Sequence, residues 1–210
     1  MRGAFITFEG GEGAGKSTQA ERLADRLREA GHAVTLTREP GGSPWAERLR
    51  EALLSDRGRG LDATQQAILF AAARADHVET VIAPALRAGQ VVICDRFSDS
   101  TEAYQGSLGA PQRLLALLRI VAVGSLMPDL TLILDVPPDV GRARAEQRTA
   151  LDAFERDEEA VQTKRRDAFL AIAAREPERC AVIDASGSPD DVAQRIDAAV
   201  AERLGVLDGS

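Results

Sequence analysis

The chain has 210 residues, 44% of them hydrophobic and 28% charged, with a formal net charge of −7. That length suits one domain with a sizeable core, and the acidic balance removes any electrostatic case for a nucleic acid or an anionic membrane as partner. Cys94 and Cys180 fall in apolar strand-like runs without C-x-x-C or metal-ligand spacing, which excludes a disulfide framework and reads as buried thiols in a reducing compartment.

The first apolar run, 4–9, leads into Gly10-Gly11-Glu12-Gly13-Ala14-Gly15-Lys16-Ser17-Thr18, and a helical pattern follows from Lys16 to Ala30. This is the G-x-x-x-x-G-K-[ST] phosphate loop in the setting that gives it meaning, between a strand and a helix. Glycines let successive N–H groups face inward, and the helix start adds partial positive charge, so the segment forms a concave anion site. Lys16 is expected to reach the β- and γ-phosphates of a nucleoside triphosphate, with the Ser17 hydroxyl on Mg²⁺. Lysine occurs only at Lys16 and Lys164 against 24 arginines, so the pattern arises by chance in roughly one such chain in a thousand.

Gly31 reads as the C′ residue of that helix and His32 as solvated. Further strand candidates lie at 33–37, 91–95, 130–135 and 180–184, with helical patterns between them. The alternation predicts an α/β fold, a parallel sheet covered on both faces, in a single domain spanning 1–210. After the second strand, Arg38-Glu39-Pro40-Gly41-Gly42 occupies the carboxyl end, where open α/β sheets hold their ligands. A helix is predicted from Pro44 to Leu54, then a long one from its N-cap Asp62 to about Ala88, carrying Phe70 and Arg74 four apart on one face. That pairing suits stacking and hydrogen bonding to a base. His77 on the same helix reads as structural.

The third strand ends in Asp95-Arg96-Phe97, a carboxylate at a strand tip placed to hold Mg²⁺ directly or through water. Ser98 to Gly106 is polar with one aromatic, Tyr104, and precedes an apolar helix at 114–123. The segment Arg142 to Arg166 alternates charges densely: either a solvated hairpin of i,i+4 pairs or a lid that brings an arginine to the transferring phosphoryl group. Asp184-Ala185-Ser186-Gly187 closes the last strand where a nucleotide base could lie. No apolar stretch reaches membrane-spanning length, and Met1-Arg2-Gly3 leads directly into a strand pattern, so a soluble, cytoplasmic protein is expected.

Four motifs now stand in order: the phosphate loop with its internal Glu12, Arg38-Glu39-Pro40-Gly41-Gly42, Phe70-Ala-Ala-Ala-Arg74, and Asp95-Arg96-Phe97 followed by Ser100-Thr101-x-Ala103-Tyr104-Gln105-Gly106. Together they resemble thymidylate kinases of the bacterial type, from the first strand to the last. The resemblance implies a P-loop kinase fold with a five-stranded parallel sheet and a small lid at about 142–158. It also implies a homodimer and transfer of the γ-phosphoryl of ATP to dTMP with Mg²⁺. By that resemblance Phe70 stacks on thymine and Arg74 bonds its O4, while Ser100, Thr101 or Gln105 meets the N3 side. Tyr104 crowds the sugar 2′ position, Glu12 lies near the 3′-hydroxyl, Arg38 and Arg96 hold the acceptor phosphate, and Glu39 sits close to the metal with Ser17 and Asp95.

The family's catalytic arginine lies in the phosphate loop or in the lid. Gly13-Ala14-Gly15 carries none, which points to the lid and first to Arg148, with Arg144 and Arg156 as substitutes. Here the lid has Asp152-Ala153-Phe154-Glu155 where bacterial members often have Asp-Arg-x-Glu. The rival readings are another small-molecule kinase on the same fold, a GTPase switch or a partitioning ATPase. The switch is disfavoured because the chain contains no asparagine and so no Asn-Lys-x-Asp, and no second signature lysine in the loop marks a partitioning ATPase.

Overall fold

The structure is a computed structural model and describes residues 2–146 and 159–205. Five strands, β1 (Phe5–Gly10), β2 (Val34–Arg38), β3 (Val91–Asp95), β4 (Leu130–Asp135) and β5 (Cys180–Asp184), form one parallel sheet in the order β2-β3-β1-β4-β5. Each lies within a residue of its sequence expectation. The central strand β1 is buried throughout, with Ile6 opposite Ile93 on one side and Leu130 on the other. Continuous apolar runs are what a strand needs when helices cover both faces.

One face packs against α1 (Lys16–Glu29) and α10 (Pro189–Leu204) through Ile6, Phe8, Leu23, Leu27, Leu132 and Ile196. The other carries Phe5, Ile82, Val92 and Phe97 beneath the helices between β2 and β4. These helices are α2 (Pro44–Leu54), the short α3 (Asp56–Arg59), α4 (Ala63–His77), α5 (Ala83–Arg87), α6 (Ser98–Ser107) and α7 (Gln112–Val123). Asp62 caps α4 in a capping box with Gln65. The single helix expected over 62–88 is divided instead: a π-helical turn, Val78–Ile82, separates α4 from α5. Pro84 has no N–H to offer the fourth residue before it, and the wider turn takes up that break.

The connection out of β1 runs past β3 to β2, whereas that out of β3 crosses β1 to reach β4. The direction of winding reverses at β1, and the crevice beyond its carboxyl end is where such sheets bind ligands. Past β4, α8 (Pro138–Glu146) includes Arg142 and Arg144 of the expected lid, and α9 (Glu159–Arg175) follows it. Arg148, Ala153 and Arg156 lie outside the described residues. Both cysteines are free and buried, as their apolar settings predict, while His32 is half-buried.

Candidate active site

The phosphate loop adopts the backbone its glycines permit: φ is 132° at Gly10, 67° at Gly13 and 89° at Gly15. A Cβ on Gly13 would come within 1.9 Å of the Gly141 carbonyl oxygen, so the loop lies directly against α8. Gly15 occupies the N-cap of α1 with no side-chain cap, leaving first-turn N–H groups to meet an anion. Gly11, Ala14 and Thr18 complete the expected cradle. Lys16, 7% exposed, donates from Nζ to the Gly11 carbonyl at 2.5 Å. Burial, then the nearby Arg96 charge, pushes its pKa down to about 8.

The Ser17 hydroxyl donates to Asp95 Oδ2 at 2.5 Å. Asp95 Oδ1 is buried and has no hydrogen-bond partner among the described residues. A hydroxyl beside a carboxylate with open lone pairs, at the edge of an anion cradle, is a donor set that fits Mg²⁺.

Beside the loop opens a cavity of about 80 Å³. Eight of the nine expected substrate residues line it: Glu12 from the loop, Phe70 and Arg74 from α4, Arg96 after β3, and Ser100, Thr101, Tyr104 and Gln105 from α6. The ninth, Arg38, is not in this lining. Its side chain is 56% exposed and lies 3.3 Å from both carboxylate oxygens of Glu47. Arg50 lines the cavity with Glu39, Pro40 and Leu54, and donates to the Pro40 carbonyl at 2.9 Å. Arg96 has φ 70°, the sole non-glycine with positive φ among the described residues. Strain of this kind, of order 1–3 kcal/mol, persists where surrounding contacts fix it. Here Arg96 N donates to the Phe8 carbonyl, and Nη1 reaches Ser100 Oγ at 3.2 Å.

Arg74 and Glu39 are each 4% exposed and form a buried pair, Nε to Oε2 at 2.6 Å. Arg74 also donates to Thr101 Oγ1 at 3.1 Å and to the Phe97 carbonyl at 2.9 Å, which fixes the plane of its guanidinium. Glu39, expected close to the metal, gives its other oxygen to His77 Nδ1 at 3.1 Å. The Tyr104 hydroxyl donates to Glu12 Oε1 at 2.6 Å, tying the cavity wall to the phosphate loop.

Three lining or supporting residues went unread in the sequence. Arg165 on α9 is fully buried, its guanidinium 4.4 Å from the Tyr104 ring centre and 3.6 Å from Glu12 Oε1, opposite Arg96 at 4.8 Å. Nothing in its charge-rich surroundings distinguishes it. Arg50 likewise looks like one more surface arginine of α2. Glu9 did carry a signal, an acid in an otherwise apolar strand immediately before the loop. It accepts from the Phe97 N–H at 2.7 Å and the Ser100 hydroxyl at 2.6 Å, and burial, then Asp99, pushes its pKa up to about 8. Arg144, one candidate for the catalytic arginine, donates to the Ala185, Ser186 and Gly187 carbonyls at 2.7, 2.9 and 3.1 Å and so pins the loop after β5.

The thymidylate kinase family model matches residues 8–196. A thymidylate kinase of a Bradyrhizobium strain is 56% identical over 97% of this chain and 92% of its own, and that of Caulobacter vibrioides is 52% identical over 98% and 99%. The crystal structure of thymidylate kinase from Ehrlichia chaffeensis superposes with a TM-score of 0.77 at 34% identity, covering 95% of this chain and 99% of that one. The likeness runs along nearly the whole chain, and the protein belongs to the thymidylate kinase family.

Proposed function

We propose that the cavity beside the phosphate loop is the dTMP site and that the loop takes the polyphosphate of ATP. The protein transfers the γ-phosphoryl group of ATP to dTMP, giving dTDP and ADP. The observation that carries the site assignment is the union of Phe70, Arg74 and Tyr104 in one cavity with Arg96 at its loop side. Phe70 offers a ring face for thymine. Three of the five guanidinium N–H groups of Arg74 are committed to Glu39, Thr101 and Phe97, leaving donors for O4. Cytosine presents an amino group at that place, and donor against donor rejects it.

The acceptor is itself a phosphate, anionic at neutral pH, so no general base is needed. Catalysis reduces to aligning two polyanions and offsetting their repulsion. Lys16 meets the donor phosphates and Arg96 the acceptor phosphate. Ser17 and Asp95 would hold Mg²⁺, which would supply positive charge to offset that of the phosphates. Arg148 of the lid remains our choice for the catalytic arginine, and with Arg144 held by three carbonyls, Arg156 is its substitute.

A homodimer is supported by α7, which exposes Leu117, Ile120 and Val121, the last by 79%, beside Ile68 of α4. Sedimentation as a monomer at micromolar concentration would end that assignment. No helix among the described residues is long and apolar enough to cross a membrane, and we place the enzyme in the cytoplasm. ADP release measured with ATP and Mg²⁺ against dTMP, dUMP, dCMP, UMP and AMP tests the whole reading. Strong preference for dTMP is expected, and equal turnover of dCMP would remove Arg74 from base recognition.

A further inference from the structure

His77 lies behind the cavity and touches none of its space, yet it is 0% exposed and bonded at both ring nitrogens. Nδ1 is 3.1 Å from Glu39 Oε1, and Nε2 is 2.7 Å from Thr37 Oγ1. An ionised carboxylate only accepts, so the Nδ1 proton points to Glu39, and in the neutral ring the Thr37 hydroxyl donates to Nε2. Glu39 in turn accepts from Arg74 Nε at 2.6 Å. His77 and Arg74 stand one turn apart on α4 and hold the two oxygens of one carboxylate between them. The outer end of this chain is closed by the backbone: a Cβ on Gly42 would fall 2.2 Å from His77 Nε2 and 2.5 Å from Thr37 Oγ1.

We infer that His77 is a positioning residue for base selection, a relay running from Thr37 through His77 and Glu39 to Arg74 that sets the angle at which the guanidinium meets the pyrimidine. The inference rests on Arg74 reading the base, as proposed above. Without the Nδ1 donor, Oε1 of Glu39 is buried and unanswered, and the carboxylate turns toward its remaining partner. Arg74 follows it and leaves the plane shared with Thr101 and the Phe97 carbonyl. The phosphate loop, Lys16 and the Ser17–Asp95 pair are not part of the relay, so ATP binding and the chemical step stay intact.

Two isosteres separate a relay from a core-filling residue. The amide nitrogen of asparagine reaches the place of Nδ1, and that of glutamine reaches the place of Nε2. His77→Asn keeps the Glu39 bond and is expected to hold KM for dTMP within about threefold of wild type. His77→Gln loses that bond, and KM for dTMP is expected to rise about tenfold, with the preference for dTMP over dCMP falling and kcat and KM for ATP unchanged. Thermal melting of both variants gives the comparison that matters: a core-filling role makes KM for dTMP track lost stability and leaves the two isosteres alike. Equal KM values for dTMP in the two variants, or an unaltered dTMP to dCMP ratio in His77→Gln, would overturn the relay. If the wild-type enzyme itself fails to prefer dTMP to dCMP, the reading of Arg74 fails first, and the two failures are thereby told apart.

Discussion

Replacing Arg74 by methionine asks whether the buried pair at the back of the cavity works as an ion pair. Methionine fills much of the space left by the arginine stem but leaves Glu39, 4% exposed, with His77 as its one side-chain partner among the described residues. Removing one member of a buried pair costs about 3–5 kcal/mol, because the other charge stays behind without compensation. The bonds to Thr101 and the Phe97 carbonyl, and the stacking of the guanidinium 5.4 Å from the Phe97 ring centre, go with it. For a chain of this length each kcal/mol corresponds to about 2–4 °C, so the melting temperature is expected to fall by roughly 6–20 °C. Arg74→Met with Glu39→Gln removes the stranded charge as well and is expected to recover more than half of that loss. Scanning calorimetry of wild type, both single variants and the double variant closes the cycle, and kcat/KM for dTMP against dCMP is read alongside. Base selection is expected to collapse in both variants lacking Arg74, including the one with restored stability. A single variant that melts within two degrees of wild type, or a double variant no more stable than Arg74→Met, would refute the argument.

Three further outcomes are expected. Arg148→Ala lowers kcat far more than it raises KM for ATP or dTMP, and an unchanged kcat moves the catalytic role to Arg156. Tyr104→Ala narrows the kcat/KM gap between dTMP and UMP by opening the wall beside the sugar, and an unchanged ratio removes Tyr104 from that task. Burial and Asp99 raise the pKa of Glu9 from 4.5 to about 8 in the folded chain. The folded state therefore binds the extra proton, and the stability this brings is complete below pH 4.5 and lost as pH rises through 8. Glu9→Gln is expected to flatten the fall in denaturation midpoint across that window, and parallel pH profiles for the two proteins would contradict it.

The strands and the phosphate loop were legible because their signals are local. An apolar run of five or six residues covered on both faces, or glycines spaced for a tight anion cradle, needs no knowledge of distant segments. Phe70 and Arg74 could be paired because one helix turn relates them. What escaped were contacts between elements far apart in the chain. Arg165 meets Tyr104 and Glu12 across 61 and 153 positions, and among so many charged neighbours its burial has no local mark. The family resemblance gives Arg38 to the acceptor phosphate, but alternation along β2 carries that side chain outward to Glu47, while Arg50 on α2 turns in. The division of the long helix at Val78–Ile82 was readable from Pro84, and the apolar pattern running through it concealed the break.

The three acids near the carboxyl ends of adjacent strands show why residue type and position alone do not assign chemistry. Glu9 stands next to last in β1, Asp95 ends β3 and Glu39 follows β2, so each is a candidate for the metal by placement. Their hydrogen bonds separate them. Glu9 receives the Phe97 N–H and the Ser100 hydroxyl, which supplies the start of α6 with the cap that Phe97 lacks, and its raised pKa makes it a poor home for a cation. Both oxygens of Glu39 are engaged, by Arg74 and His77, and the arginine's charge faces any approaching cation. Asp95 alone of the three keeps an oxygen without a partner among the described residues, and its other oxygen already meets the hydroxyl of the phosphate loop. A strand tip puts a carboxylate within reach of the crevice; what its two oxygens are already bonded to decides whether it is taken up by a helix start or an arginine, or left open to a cation.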